Sequence, residues 1–288
     1  MALIVGNATV ATGCSPVVEQ ALYDDEFLID EVTYTSKHDI GAAGEIQVVK
    51  HAAGSISAPV APGSNFSDTS YANTVINIVC NNAFQSSEKV AAFYEATMPV
   101  DLKADRVWNA TKKVARDRRA SALAVLVKQG TDAADTTAVT KSNIKDLVIN
   151  GRQALVKKNA KPNVIIASPE VYGAMLKAAG TEYTPVFNDS VAREGRVGSF
   201  MGILWFESSL LDGTSSYKYN KPDGTAETVD ISDVDYILYD GNALSIVDKL
   251  SALRVIDSEE FMGSKIQEEV DSGILVTNAD CVLVKFHA

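Results

Sequence analysis

The sequence predicts an α+β protein organised around one long helix. Three stretches carry that expectation. From Val100 to Gly130 nothing interrupts a helix: there is no Pro and no interior Gly. From Thr35 to Cys80, two β-rich segments flank a long run of small and polar residues. From Pro162 onward, a short apolar strand leads directly into a Ser-capped helix, and further strands follow to the end of the chain.

The helix has signals at both ends. Asp101 is placed as N-cap, with a carboxylate able to accept orphan backbone N–H groups. Gly130 is placed as the stop, on the expectation that it enters the left-handed conformation. Ala104, Trp108, Thr111, Ala115, Ala122, Val125 and Leu126 recur at three- and four-residue steps and define the expected apolar stripe. At about 1.5 Å per residue the rod is roughly 40 Å long, against an ordinary length of about 11 or 12 residues. Its charge is lopsided. Lys103, Arg106, Lys112, Lys113, Arg116, Arg118, Arg119 and Lys128 face only Asp105 and Asp117, a surplus of six positive charges on a chain of net charge −11. Two readings are open: a solvated face, or contact with something anionic, either an acidic neighbouring subunit or nucleic acid.

The 288-residue length fits one large domain or two smaller ones, and the 46% apolar content supports a sizeable core. The acidic balance argues against a dedicated DNA-binding protein, whose footprint is usually basic. No apolar run approaches the ~18 residues that a membrane helix needs. The N-terminal MALIVGNATVATGC lacks the basic residues and the apolar length of a signal peptide. Three widely spaced cysteines, Cys14, Cys80 and Cys281, fit a reducing compartment.

In chain order, Val17–Tyr23 reads as a short helix, followed by the acidic cluster Asp24, Asp25, Glu26, Asp30 and Glu31. The cluster lacks the spacing and the Gly of a calcium loop, so it reads as a solvated arm. Glu45–His51 alternates, with Ile46 and Val48 on one face; Thr74–Cys80 is β-branched and reads as the return strand. The middle is too poor in apolar side chains to form a core. An isolated ribbon is marginally stable, so this hairpin is expected to pack on something else, a neighbouring subunit being the natural candidate. Lys141–Asn159 reads as a second helix, with Ile144, Leu147, Val148, Leu155 and Val156 inward and Gly151 as a weak point.

Asn163–Ala167 is a continuous apolar strand. Ser168 and Pro169 then open a helix with Val171, Tyr172, Met175 and Leu176 as its buried stripe. This turn lacks the Gly residues of a nucleophile or phosphate turn. Ile203–Phe206 is a strand, and Pro222-Asp223-Gly224 marks a turn inside the insertion from Asp212 to Asp230. Val234–Tyr239 is a strand and Ala243–Asp248 a short helix or turn. Strands at Leu253–Ile256, Ile274–Asn278 and Cys281–Phe286 close the chain.

No catalytic constellation emerges. The three histidines, His38, His51 and His287, show no zinc spacing with one another or with the Cys. Nothing positions Cys80 against His51. No carboxylate pair lies in a run that suggests desolvation. The expectation is a non-enzyme with no cofactor and no metal. A small α/β hydrolase is disfavoured for want of a nucleophile turn.

The run from Asn163 to Leu211, with NVIIASPEVYGAML and GRVGSFMGILWFESSLL, followed by DYILYDGNALSIVDKLSALRVI and VDSGILVTNADCVLVKF, resembles the major capsid proteins of tailed bacteriophages. Their shared architecture is the Hong Kong 97-type fold. The resemblance covers the chain from about Thr35 and rests on the order of the parts: a long hairpin, a long spine helix, a compact α/β region and a return to long strands. It implies an N-terminal arm at 1–31, an extended β-hairpin loop at 32–72, a peripheral domain at 73–160 and 253–288 with the spine helix, and an axial domain at 161–252. It also implies a structural protein that self-assembles through pentamers and hexamers into the icosahedral head shell of a virion, built in the cytoplasm of a bacterial host. The partners implied are a separate scaffolding protein, a portal, decoration proteins and packaged double-stranded DNA bound without sequence specificity, with no membrane. An encapsulin, a bacterial shell of the same fold that loads cargo enzymes, is the alternative. Subunit contacts are expected at Ile46, Val48 and Lys50 of the hairpin, and between Arg116, Arg118 and Arg119 of the helix and the acidic arm, Asp24 to Glu31. Some members of the family crosslink Lys to Asn. Lys37 and Lys50 could donate, but no Asn and Glu here match the family motif, so no crosslink is expected.

Overall fold

The computed structural model describes residues 44–51, 73–97, 101–179, 199–200, 202–211 and 216–287. The arm with Asp24 and Glu31, the helix expected at Val17–Tyr23, Lys37 and the hairpin tip lie outside the described residues. The chain divides into two compact units.

One unit contains Ala83–Ala120 and Leu250–Asp271. It holds most of β3 (Asn82–Ala91), α1 (Ala92–Thr97), the first two-thirds of α2 (Leu102–Gln129), and much of β11 (Leu244–Asp257) and β12 (Gly263–Val276). The three strands form one sheet in the order β11-β12-β3. Strand β3 alternates, with Asn82, Ser86 and Val90 inward. Val90, Ala110 and Ile266 make a small core, flanked by Leu102 and Val107. Gly263 is obligatory where it stands. Its φ is +152°, and a Cβ there would meet the Val90 carbonyl oxygen at 2.1 Å.

The second unit holds a six-stranded sheet. Its strands are β4 (Thr131–Asp132), β5 (Val164–Ala167), β6 (Ser199–Phe200), β7 (Ile203–Glu207), β10 (Val234–Tyr239) and β13 (Val282–Phe286). The order across the sheet is β4-β13-β10-β5-β7-β6. The centre is buried on both faces, as the continuous apolar runs imply: every residue of β5 and β10 is buried. Helices α3 (Ile144–Lys157) and α4 (Pro169–Ala179) supply Ile144, Val148, Leu155, Val171, Tyr172 and Met175 to a core shared with Ile165, Ile203, Trp205, Tyr236 and Leu283. The Ser168 cap is present: its Oγ accepts the Val171 N–H at 3.4 Å. The same unit carries the ribbon β1 (Glu45–His51) with β2 (Asn73–Val79), and the hairpin β8 (Ser216–Asn220) with β9 (Ala226–Asp230). Pro222-Asp223-Gly224 forms the turn of the second, with Gly224 at φ +83° and the Gly224 N–H on the Lys221 carbonyl at 2.9 Å.

Several expectations change. The stretch Asn82–Ala91, assigned no element from the sequence, is a ten-residue strand. Ala243–Asp248 is not helical: a short 3-10 turn at Gly241–Ala243 passes straight into β11. Strand β13 hydrogen-bonds between β4 and β10, in the sheet of the α/β region rather than with the long strands to which its sequence position assigned it. Leu176 and Val156 point outward, 40% and 48% exposed. Gly151 is no weak point. A Cβ there would stand 2.9 Å from Leu283 Cδ2, so glycine lets α3 approach the sheet.

One buried ion pair lies at the end of the sheet. Lys285, 1% exposed, holds its Nζ 3.7 Å from Asp235 Oδ2, and His287 Nδ1 is 3.1 Å from Asp235 Oδ1. Removing one member of such a pair leaves the other charge buried alone. Asp235→Ala is expected to cost about 3–5 kcal/mol in denaturant unfolding, and Asp235→Ala with Lys285→Met to recover most of it.

Candidate functional site

The long helix and the structure around its ends dominate the chemistry. Asp101 caps α2 as expected: its Oδ1 accepts the N–H groups of Lys103 and Ala104 at 3.1 and 3.0 Å. The buried face is one step away from the expected stripe. Ala104 and Thr111 are exposed, while Asp105, Asn109, Ala110, Val114 and Arg119 turn inward. From Ser121 to Val127 every residue is buried. The terminal Gly130 does not enter the left-handed region. It is glycine because a Cβ would meet Val284 and Val282 at 2.8 and 2.9 Å.

Three of the eight cations of α2 pair with acids from elsewhere in the chain. Lys103 bonds Glu95 at 2.8 Å, which raises the lysine above its ordinary range. Arg106 lies 3.5 Å from Glu88, and Lys112 sits over the Trp108 ring at 5.8 Å. At the other end, Lys128 bonds Glu227 Oε1 at 2.9 Å. Glu227 is a hub: its Oε2 also takes Lys221 at 3.1 Å and the Tyr219 hydroxyl at 3.0 Å. The two lysines and then the tyrosine hold its carboxyl down at about 2. Tyr219 is pushed up to about 12, first by burial and then by Glu227. The hub ties the β8–β9 hairpin to α2. Ser121 Oγ donates to the Lys218 carbonyl at 3.0 Å, and the Asn220 N–H donates to Asn82 Oδ1 at 2.7 Å.

The β1–β2 ribbon has two unlike faces. Ile46, Val48 and Ile76 lie against Ile78, Val247 and Leu275 of the same chain. On the other face the cross-strand partners Val49 and Val75 are 50% and 54% exposed. Among the described residues, no group of three or more His, Cys, Asp or Glu side chains suits a metal ion, and no helix is long and apolar enough to cross a membrane. Cys80 Sγ donates to the Val247 carbonyl at 3.4 Å, and Cys281 Sγ accepts from Asn278 Nδ2 at 2.9 Å.

No family model matches the sequence, and no curated protein matches it. Solved structures do. The capsid of the cyanophage P-SCSP1u aligns at a TM-score of 0.72 and 14% identity, over 99% of this chain and 94% of its own. A chain from Mycobacterium phage Che8 aligns at 0.70 and 14% identity, over 97% of each. The mature capsid of bacteriophage PhiM1 aligns at 0.66 and 15% identity, over 97% and 92%. The chain has the Hong Kong 97-type capsid fold.

In that fold α2 is the spine helix and the β1–β2 ribbon is the base of the extended loop. Ile46 and Val48, expected at a subunit contact, are half-buried against their own chain, because the pleat turns them toward Val247 and Leu275. The outward residues that sequence reading passed over are Val49 and Val75. Lys50 is exposed and donates its Nζ to Asn278 Oδ1 at 2.9 Å within the chain. Arg116 is exposed, Arg118 half-buried and Arg119 only 4% exposed. Neither Arg118 nor Arg119 is a free cation. Asp24 and Glu31 lie outside the described residues.

The Glu227 hub gives a pH signature. A carboxyl depressed from 4.5 to about 2 contributes stability that is present above pH 4.5 and lost as pH falls toward 2. Thermal melting of wild type is expected to fall through that window. Glu227→Gln, which bears no such charge, is expected to melt lower at neutral pH and to lose this part of the acid dependence.

Proposed function

We propose that this chain is the major capsid protein of a tailed double-stranded DNA bacteriophage and that it assembles through pentamers and hexamers into an icosahedral shell. The observation that supports it is the match in fold to phage capsid structures over nearly the whole length of both chains, at TM-scores from 0.62 to 0.72. Its role is structural. No reaction is assigned to it, and the net charge of −11 disfavours a tight grip on DNA. Packaged DNA is held by enclosure rather than by sequence. A separate scaffold, a portal and decoration proteins are its partners in a bacterial cytoplasm, and the finished virion is its location.

In this reading 1–31 is the arm, 32–72 the extended loop, 73–160 and 253–288 the peripheral domain, and 161–252 the axial domain, with β4 and β13 joining the axial sheet and α3 its core. The arm acids, Asp24 to Glu31, meet the spine helix at Arg116 and Arg118, while Arg119 serves inside the subunit. Arg is suited to such a contact because its fork engages both carboxylate oxygens.

Electron microscopy of the expressed protein, alone and with a candidate scaffold, tests the reading. Closed shells or five- and six-fold capsomers are expected; a stable monomer under all these conditions overturns it. The nucleic acid or enzyme content of purified shells separates a phage head from an encapsulin. Two variants sharpen the test. Deletion of Gly54–Ser67, which leaves the observed cores intact, is expected to give a folded subunit by circular dichroism and no shells. Arg116→Ala is expected to slow assembly by light scattering with melting unchanged, whereas Arg119→Ala is expected to cost about 1–3 kcal/mol of stability as well.

A further inference from the structure

Strand β11 is the longest exposed apolar edge in the described chain. Its first four residues are buried, and the next ten, Asp248 to Asp257, are exposed on both faces. Leu250, Leu253, Val255 and Ile256 are between 38% and 49% exposed. In its sheet β11 pairs only with β12, so among the described residues its outer row of backbone N–H and C=O groups has no strand partner. A long apolar edge of this kind is a template for another strand.

The charges along it say which strand. Lys249, Arg254 and Asp257 are the ionised residues from 249 to 257. Laid antiparallel on a second copy of itself about a two-fold axis at Leu253, the strand sets Lys249 opposite Asp257 at both ends. Leu250 then meets Ile256 twice, Ser251 meets Val255, Ala252 meets Arg254, and Leu253 meets its own symmetry mate. The neighbouring symmetric registers lose this match. Moving the axis to Ala252 sets Lys249 against Val255; moving it to Arg254 sets arginine on arginine. Two symmetric registers thus join unlike charges at both ends of an isologous contact: the one centred on Leu253, and one centred on Ser251 that sets Asp248 opposite Arg254. The first also pairs Leu250 with Ile256 and Leu253 with its mate, whereas the second sets Lys249 on Leu253.

We propose that β11 is a two-fold contact between copies of this chain, an antiparallel pairing centred on Leu253 that fuses two three-stranded sheets into one of six strands. It rests on the shell reading, in which neighbouring subunits must meet about two-fold axes.

The test uses the full chain. Across an antiparallel pair facing Cα atoms are about 4.5–5.5 Å apart, within disulfide reach. Oxidised Leu253→Cys particles are expected to run as dimers on a non-reducing gel, while wild type, with its own three cysteines, stays monomeric. Lys249→Asp is expected to cut shell yield at least tenfold, and Lys249→Asp with Asp257→Lys to restore it, circular dichroism showing each variant folded. Intact Leu253→Cys shells without the disulfide-linked dimer, or Lys249→Asp shells at wild-type yield, overturn the contact and leave the shell reading standing. If wild type forms no shells, that reading fails by itself, and sedimentation decides the contact. A dimer lost in Lys249→Asp and regained in the double variant supports it; a monomer throughout overturns it.

Discussion

The subunit depends on the burial of the last two turns of the spine helix. Ser121 to Val127 are buried on every side of the helix, as the residues of a surface helix with a single stripe are not. Leu123, Val125 and Leu126 are at or below 1% exposed, each contributing about 1.5–3 kcal/mol of burial. Around this plug the neighbouring elements take their positions. Gly130 lets Val282 and Val284 of β13 close on the helix end, Gln129 Oε1 accepts the Val276 N–H at 2.9 Å, and Ser121 and Lys128 fix the β8–β9 hairpin. A substitution that loosened the plug would therefore disturb three pieces of sheet together.

Electrostatics follows from that geometry. A helix with a surplus of six positive charges is an unfavourable object on its own, and the chain answers with acids placed at both ends: Glu88 and Glu95 before it, Glu227 after it. Glu227 is the tightest of these because three donors converge on one carboxylate. An isolated surface pair contributes little; this one is set by its geometry, with a 17%-exposed side chain fixed by a buried tyrosine.

Much of the fold was legible. The Asp101 cap, the Ser168-Pro169 helix start, the β1 and β5 strands and the Pro222-Asp223-Gly224 turn each rest on local chemistry, and local chemistry is what a sequence exposes. What was not legible depends on partners distant in the chain. Strand β3 reads as polar because its inward positions include Asn82 and Ser86. The glycines at 130 and 151 were assigned conformational roles, when packing against β13 is what requires them. The first half of the helix was read one step out of phase because its inward face carries Asp105, Asn109 and Arg119 in place of apolar residues. The order of the parts pointed to the capsid fold, but alternation shows only that the two faces of the hairpin differ; the Val247–Leu275 patch decides that Ile46 and Val48 turn inward.

Exposed apolar surface is unevenly distributed over the chain. Among the described residues, the α/β region leaves few large side chains outside: Val156, Leu176 and Leu204 stand singly, and single exposed apolar residues are ordinary. The ribbon exposes one facing pair, Val49 with Val75. Only on β11 do exposed apolar residues crowd along one described strand, and there Lys249, Arg254 and Asp257 interrupt them. Charges on an edge deter pairing with unrelated strands because most registers leave a charge facing an apolar or a like-charged residue. They do not deter a partner whose charges are complementary. In the register centred on Leu253 a second copy of the same strand is such a partner.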